Sequence, residues 1–473
     1  MDTTNTFSLG KYKKEILIPL ITCIVAIILI FFLTRFMKPS GNNILGMLTD
    51  GQKFLDEMKY DEAIAQFSSA IQIDPNNKDA RMGLAKAYIG KEDYGFAQQI
   101  LEELTKGETV DKSAADELVD VYLGAGQPKK ALKIVKKLVD DTDEDQYYDR
   151  EKELVKDILD VPHLYASGTD QELIIREGSV LSRGSNTLGQ LGTDKGLGNR
   201  EYSQKEYAPA NFDGGKPHSV FCAGRTSLVL DENHNLWASG ENRWGQMGLS
   251  YGTTLPESGW QQILSTGDVA YAAGSTGRLF IVKMDGSLWV SGLNGGAGQN
   301  FSRVESMPTI IKIITADNII HLLGADGTLY ELDENTFSNI PMTGKASISR
   351  IVNNISDFCM TQYGDTWLDE TGGIHNLNYS DMPENWQTRE DGSLVPDFIV
   401  KDMASNHFFT FLLDSDGHLR QVTPEGQVKV LSGGERFLSL SNHNGTVSAR
   451  TEKGETFYWQ EGSEGEGLMP ADQ

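Results

Sequence analysis

The chain has 473 residues, a formal net charge of -25 and a pI near 4.7. That length calls for two or three folding units, and the charge excludes sequence-independent binding to a phosphate backbone. Three cysteines (Cys23, Cys222 and Cys359) exclude a disulfide framework, and no Cys/His cluster occurs at metal-ligand spacing. Cys222 and Cys359 stand in strand-like contexts beside Phe221 and Phe358, where buried free thiols are expected.

The first element is apolar. After a tail at residues 1–15, the stretch Ile16 to Thr34 (ILIPLITCIVAIILIFFLT) carries no charge. As a helix it would measure roughly 28 Å, close to the hydrocarbon thickness of a bilayer. A cleaved signal peptide has a shorter apolar core and small residues at its cleavage site. Here Arg35, Phe36, Met37 and Lys38 follow instead. The expectation is an uncleaved transmembrane signal anchor over 16–36, in contact with the lipid bilayer. Lys11, Lys13 and Lys14 precede the span, and Arg35 and Lys38 follow it. That bias favours an inside N-terminus, hence a single-pass protein of the cell membrane with its C-terminal domains outside a bacterial cell.

From about Ile44 to Asp145 the apolar residues recur with helical period. Phe54, Tyr88 and Tyr122 stand 34 residues apart, as do Ala63, Ala97 and Ala131, and Phe67, Leu101 and Val135. With Ala63, Phe67, Ala70 and Pro75 in EAIAQFSSAIQIDP, this resembles the tetratricopeptide repeat, a 34-residue pair of antiparallel helices. The resemblance implies copies at 44–77, 78–111 and 112–145. With a solvated capping helix from about Tyr147 to Leu159, they make an all-α array over 44–160. The family's early Trp is replaced by Met47, Arg81 and Ala115. Such arrays hold an extended peptide in a groove, and Gln52, Lys86 and Asp120 share the column that would face it; plain solvent exposure is the alternative. The carboxylate clamp of chaperone-binding members is missing, because its positions carry Leu48, Gln52, Gly83, Ser113 and Glu117. Lys129, Lys130, Lys133, Lys136 and Lys137 crowd one helix. They read as a solvated face whose last-turn lysines complement the helix dipole, in preference to a lipid-binding stripe.

Past residue 162 the pattern becomes that of hairpins. A strand, an Asp/Gly/Asn turn and a second strand recur seven times, with the turn position at Gly178, His234, Gly286, Gly327, Gly373, Gly417 and Gly454. The intervals run from 37 to 56 residues, the size of one propeller blade. A second signature follows the hairpin, as RGSNTLGQLG (Arg183 to Gly192), SGENRWGQMG (Ser239 to Gly248) and SGLNGGAGQN (Ser291 to Asn300). Together these resemble the regulator-of-chromosome-condensation repeat, over 162–473 and most clearly in the first three copies. The resemblance implies an all-β seven-bladed propeller whose terminal strands close the ring by sharing one blade. Gly184, Gly240 and Gly292 with Asn186, Asn242 and Asn294 read as turn formers.

No enzyme is expected. Asp231, Asp285, Asp326, Asp414 and Asp416 sit in hairpin turns, where Asp is favoured for the backbone's sake. DSDG at Asp414 to Gly417 lacks the other ligands of a calcium loop, and no paired-histidine motif, nucleophile elbow or P-loop occurs. No catalytic, cofactor-binding or metal-binding residue is assigned, and no cofactor. The expected function is a membrane-anchored protein-interaction scaffold, with protein or peptide partners and no nucleic acid. One rival is an envelope inhibitor or sensor gripping a single enzyme or cell-wall ligand, as secreted members of the propeller family that block a β-lactamase do. It predicts exposed aromatics on one ring face, with Trp244, Tyr251 and Trp260 as candidates. The other is a propeller glycoside hydrolase, which predicts an acid pair converging at the ring's centre.

Overall fold

The structure is a computed structural model. It describes residues 44–106, 111–249, 259–275, 277–292, 301–316, 319–333, 348–361, 364–377, 383, 385–406, 408–431, 433–443, 446–451, 453–460 and 467–470. The expected anchor at 16–36 lies outside them. Among the described residues no helix is long and apolar enough to cross a membrane. The chain falls into two compact units that divide between Gly124 and Ala125.

In the first unit, helices α1 (Ile44–Asp56), α2 (Tyr60–Ile73), α3 (Lys78–Gly90), α4 (Tyr94–Thr105) and α5 (Lys112–Gly124) follow one another at the spacing the repeats predict. Consecutive helices pack together, and α3 also touches α1 and α5. The small alanines at Ala63, Ala70, Ala87 and Ala97 are fully buried, as is Leu101. Phe67 of α2 fits between two glycines. A Cβ on Gly51 would lie 2.7 Å from its ring, and one on Gly83 would lie 2.3 Å away. Both glycines are therefore steric requirements of this packing. The start of α3 is set by Asn77, whose side chain accepts from the Ala80 N–H at 2.9 Å and satisfies one of the orphan donors of the first turn.

The second unit opens with α6 (Pro128–Thr142) and α7 (Asp145–Leu159). Proline starts α6, where its missing N–H costs nothing. Asp143 ends it in the left-handed region at φ 54°. The sequence signatures place both helices with the repeats, whereas compact packing groups them with the β-rich part. Tyr147, Leu154, Val155 and Leu159 of α7 are buried, and the helix packs on strands Val269–Gly274 and Ile310–Ala316. The expected solvated cap is thus a packed element, because one of its faces is apolar.

Among the described residues seven antiparallel strand groups follow in chain order, spanning 165–209, 217–264, 269–303, 310–352, 355–395, 400–430 and 437–470, and the second and third are joined into one eight-stranded sheet by a single parallel bridge between Ala223 and Gly274. These groups are blades 1 to 7. Each has four strands, and blade 5 has a short fifth, Gln387–Thr388. In blades 2 to 7 the first strand lies at the hub, where those of blades 2 and 3, 3 and 4, 5 and 6, and 6 and 7 pack on one another and Lys312 of blade 4 pairs with Asp357 of blade 5. Tyr165–Ser167 of blade 1 meets the hub strand of blade 2 on one side and blade 7 on the other. Tyr165 stacks on Tyr458 with ring centroids 5.2 Å apart. Among the described residues no strand is shared between first and last blades, contrary to expectation, and each is built from its own stretch of chain.

The recurrent turns link blades as well as strands. The carbonyls of Gly286, Gly327 and Gly417 accept from the first N–H of the next hub strand, at Ile310, Ile355 and Phe437, over 2.8, 3.0 and 2.8 Å. The left-handed residue of the fifth turn is Gly372, at φ 87°, one place before the predicted Gly373. Cys222 and Cys359 are buried free thiols, and burial pushes that of Cys359 up to about 12.

Candidate functional site

Three hub strands carry a charge where apolar alternation would place none: Lys312 in blade 4, Asp357 in blade 5 and Asp402 in blade 6, each 45 residues after the last. In each strand the register slips just before this residue, between Ile310 and Lys312, Ile355 and Asp357, and Val400 and Asp402. A bulge of that kind re-aims a side chain, and here the three side chains meet. Lys312 Nζ lies 2.8 Å from Asp357 Oδ1 and donates to the Met403 carbonyl at 2.8 Å. Lys129, in the first turn of α6, completes the cluster with Nζ 2.9 Å from Asp357 Oδ2 and 3.2 Å from Asp402 Oδ1. Asp357 also accepts the N–H groups of Phe358 and Met403, and Asp402 that of Leu440.

Two carboxylates and two ammonium groups thus neutralise one another in a site where Asp357 is 1% exposed. Burial opposes ionisation of Asp357, but Lys129 and Lys312 overcome it and hold the carboxyl below its ordinary range. Burial likewise works against the charge of Lys129, and Asp357 and Asp402 overcome it. For Asp402 burial prevails over the pull of Lys129, and the neighbouring Asp357 adds to it, so this carboxyl is held up. Removing one partner of such a cluster typically costs about 3–5 kcal/mol, because the remaining charge is left buried.

Beside the cluster lies a cavity of 280 Å³ between the helices and the hub, with Lys129, His163, Tyr271, Lys312, Asp402 and Asn442 in its lining. The Tyr271 hydroxyl donates to the Asn442 carbonyl at 3.0 Å. The expected solvated lysine face is therefore corrected. Lys129 is half-buried at the hub, while Lys133 pairs with Glu370 and lies 3.4 Å from Asn354 Oδ1. Helix α6 is fastened to the turn side of blades 5 and 6. The signal for this site was available in the sequence as a column at the blade interval, but the opposite charges at three separate places gave no sign that they converge.

The hydrolase reading predicted an acid pair at the centre, and Asp357 with Asp402 is such a pair. Its oxygens are taken up by lysines and backbone donors, so it has the chemistry of a structural clamp. The turn acids are similarly engaged. Asp231 accepts from the N–H groups of Asn233 and Asn235 and from the Trp237 indole, Asp285 from Ser287, Asp326 from Thr328 and Tyr330, and Asp414 from Asp416, His418 and Arg420.

Of the candidate contact residues, Gln52, Lys86 and Asp120 are exposed on α1, α3 and α5. Gln52 donates to Asp56 at 2.9 Å, and Lys86 pairs with Glu117 at 3.1 Å. Trp260 is corrected. It is 6% exposed in the core between blades 1 and 2, and its indole donates to the Ala210 carbonyl at 2.7 Å. Trp244 is half-buried in a loop braced by Gln246, which accepts its N–H at 3.0 Å. Tyr251 lies outside the described residues. Strand Leu236–Gly240 runs away from the turn side, so the Trp244 loop emerges on the ring face opposite α6.

A family model of the tetratricopeptide repeat matches residues 54–119. No curated protein sequence matches the chain. Among solved structures, Prp20p from Saccharomyces cerevisiae is 16% identical, with 67% of this chain and 89% of that one covered and a TM-score of 0.47. YCF48 from Cyanidioschyzon merolae is 13% identical over 63% and 95%, with a TM-score of 0.35. The first tetratricopeptide domain of human RPAP3 is 18% identical over 24% and 91%, with a TM-score of 0.21. The class defined is a helical-repeat array followed by a β-rich domain.

Proposed function

We propose that this protein is a membrane-anchored interaction scaffold. Its helical array takes an extended peptide along Gln52, Lys86 and Asp120, and its seven-bladed ring takes a protein partner on the face that carries Trp244. The observation that carries the reading is the commitment of the ring's central charges to one another and of its turn acids to their own turns. The central acids and Asp231, Asp285, Asp326 and Asp414 are thus occupied within the fold, and both folds are of a kind that binds. Residues 16–36 hold the assembly at the bilayer, with the ring outside a bacterial cell.

A photo-crosslinking residue at Lys86 or at Trp244, in cells making the full chain, tests the scaffold. The expected result is a discrete adduct at each position that is lost when the crosslinker is moved to the buried Trp260. Absence of an adduct at both positions removes the reading. Protease shaving of intact cells, followed by detection of the C-terminus, tests the topology. Loss of the signal is expected, and protection until lysis overturns the outside placement.

A further inference from the structure

We propose that Asp160, His218 and His234 form a site for a divalent transition metal of the zinc class, one that ties the segment leaving α7 to blade 2. Nothing in the spacing of these residues announces it, because Asp160 follows a helix, His218 sits on the first strand of blade 2 and His234 in a turn further along that blade. Folding brings one ligand atom of each within 4.8 Å of the others. Nε2 of His218 is 3.4 Å and Nε2 of His234 is 3.7 Å from Oδ1 of Asp160. Zinc held tetrahedrally at about 2.0–2.2 Å by nitrogen and oxygen sets its ligand atoms about 3.3 Å apart, so the two distances to Asp160 need contract by only a few tenths of an ångström, and the histidine nitrogens, within 4.8 Å of each other, by at most about 1.5 Å.

The outer partner of His234 fixes which of its ring atoms faces inward. Nδ1 of His234 lies 3.2 Å from the Val269 carbonyl oxygen. A carbonyl only accepts, so Nδ1 carries the proton and Nε2 presents a lone pair to Asp160. Nδ1 of His218 lies 3.0 Å from the Ser219 hydroxyl, a contact in which either group can be the donor, and that hydroxyl accepts the His163 N–H at 3.0 Å. Metal-binding histidines are held by their second nitrogen in this way. At the centre, Oδ1 of Asp160 is buried without a hydrogen-bond donor. A carboxylate oxygen facing an imidazole lone pair is repulsive until a cation stands between them.

The surroundings favour the ligand form of His218. Burial, followed by His234 and Arg450, holds it below its ordinary value against the pull of Asp160. Arg450 also opposes a bound cation, and the charge of Asp160 offsets that. His234 itself stands at φ 58° in a hairpin turn where Gly286, Gly327 and Gly417 stand in other blades. A side chain in the left-handed region is strained, which a ligand role would offset. All three side chains remain partly exposed, so a metal can enter and keep a water as fourth ligand.

The test titrates chelator-stripped full-length protein in detergent with Zn(II) against a chromophoric chelator, and records its Co(II) spectrum. One equivalent bound per chain, a visible cobalt band and a melting temperature raised by zinc are expected. His234→Gly restores the residue that other turns use, so it keeps the fold. It should lose more than about 100-fold in zinc affinity, since loss of a mere outer partner costs about 10–100-fold. Ser219→Ala should lose about 10-fold. Asp160→Asn should abolish the cobalt band. Zinc binding unchanged in His234→Gly and Asp160→Asn, or no zinc binding beside a melting temperature that moves only with protonation of the histidines, overturns the proposal.

Discussion

Neighbouring blades in the first half of the ring are tied by neutral hydrogen bonds from the long loops. Ser227 and Ser239 of blade 2 donate to the carbonyls of Gln190 and Gly189 at 2.6 and 2.7 Å, and Ser291 of blade 3 donates to that of Gly245 at 2.9 Å. The loops are held in shape by their own amides. Asn186 donates to the Thr193 carbonyl at 2.7 Å and accepts from the Leu191 N–H at 2.8 Å, and Asn242 accepts from that of Met247 at 3.0 Å. Blades 4 to 6 lack this signature and are joined at the hub by Lys312, Asp357 and Asp402, with Lys129 from α6 closing the charge balance. A repeat that keeps its motif holds its neighbour locally. One that has lost it is held by a buried charge cluster whose members come from four places in the chain.

That contrast can be broken most forcefully at the hub. Asp357→Ala leaves Lys129 and Lys312 to share Asp402, and should destabilise the ring by about 3–5 kcal/mol in urea unfolding of the full chain. A loss below about 1 kcal/mol would show the cluster to be incidental.

The same group sets a pH dependence. Asp357 is depressed in the folded state, so its contribution is present above the unfolded value of about 3.9 and is lost as pH falls below it. Acid unfolding should steepen below about pH 4, and Asp357→Asn should flatten that limb.

Asn186→Ala strands the Leu191 N–H and the Thr193 carbonyl and should cost about 1–3 kcal/mol, read as a lower urea midpoint. The smallest effect is expected at the rim. Lys133 and Glu370 are each about one-third exposed, and Lys133→Ala should cost less than about 1 kcal/mol. Equal losses at Lys133 and Asp357 would erase the distinction between rim and hub.

The two halves also differed in what could be read from them in advance. The 34-residue columns of Ala63 with Ala97 and of Phe67 with Leu101 identified the helical pairs, and the buried alanines sit where helices must approach closely. The Asn of the loop signature identified itself as a turn former because its partners lie within a few residues. Trp260 was misassigned, since an aromatic in a long loop gives no sign whether its indole faces solvent or the carbonyl of Ala210, fifty residues earlier.

By itself, then, the sequence determined the period, the turns and the succession of helical pairs and hairpins. These depend on contacts within a turn, a hairpin or one repeat, and their spacing is written along the chain. Tertiary structure alone decided that α6 caps the hub, that Lys129 and Asp357 pair and that Asp160 meets His218 and His234. Each of those joins residues from separate elements. A lone charge in a strand carries no mark of the partner that will neutralise it until folding removes both from water.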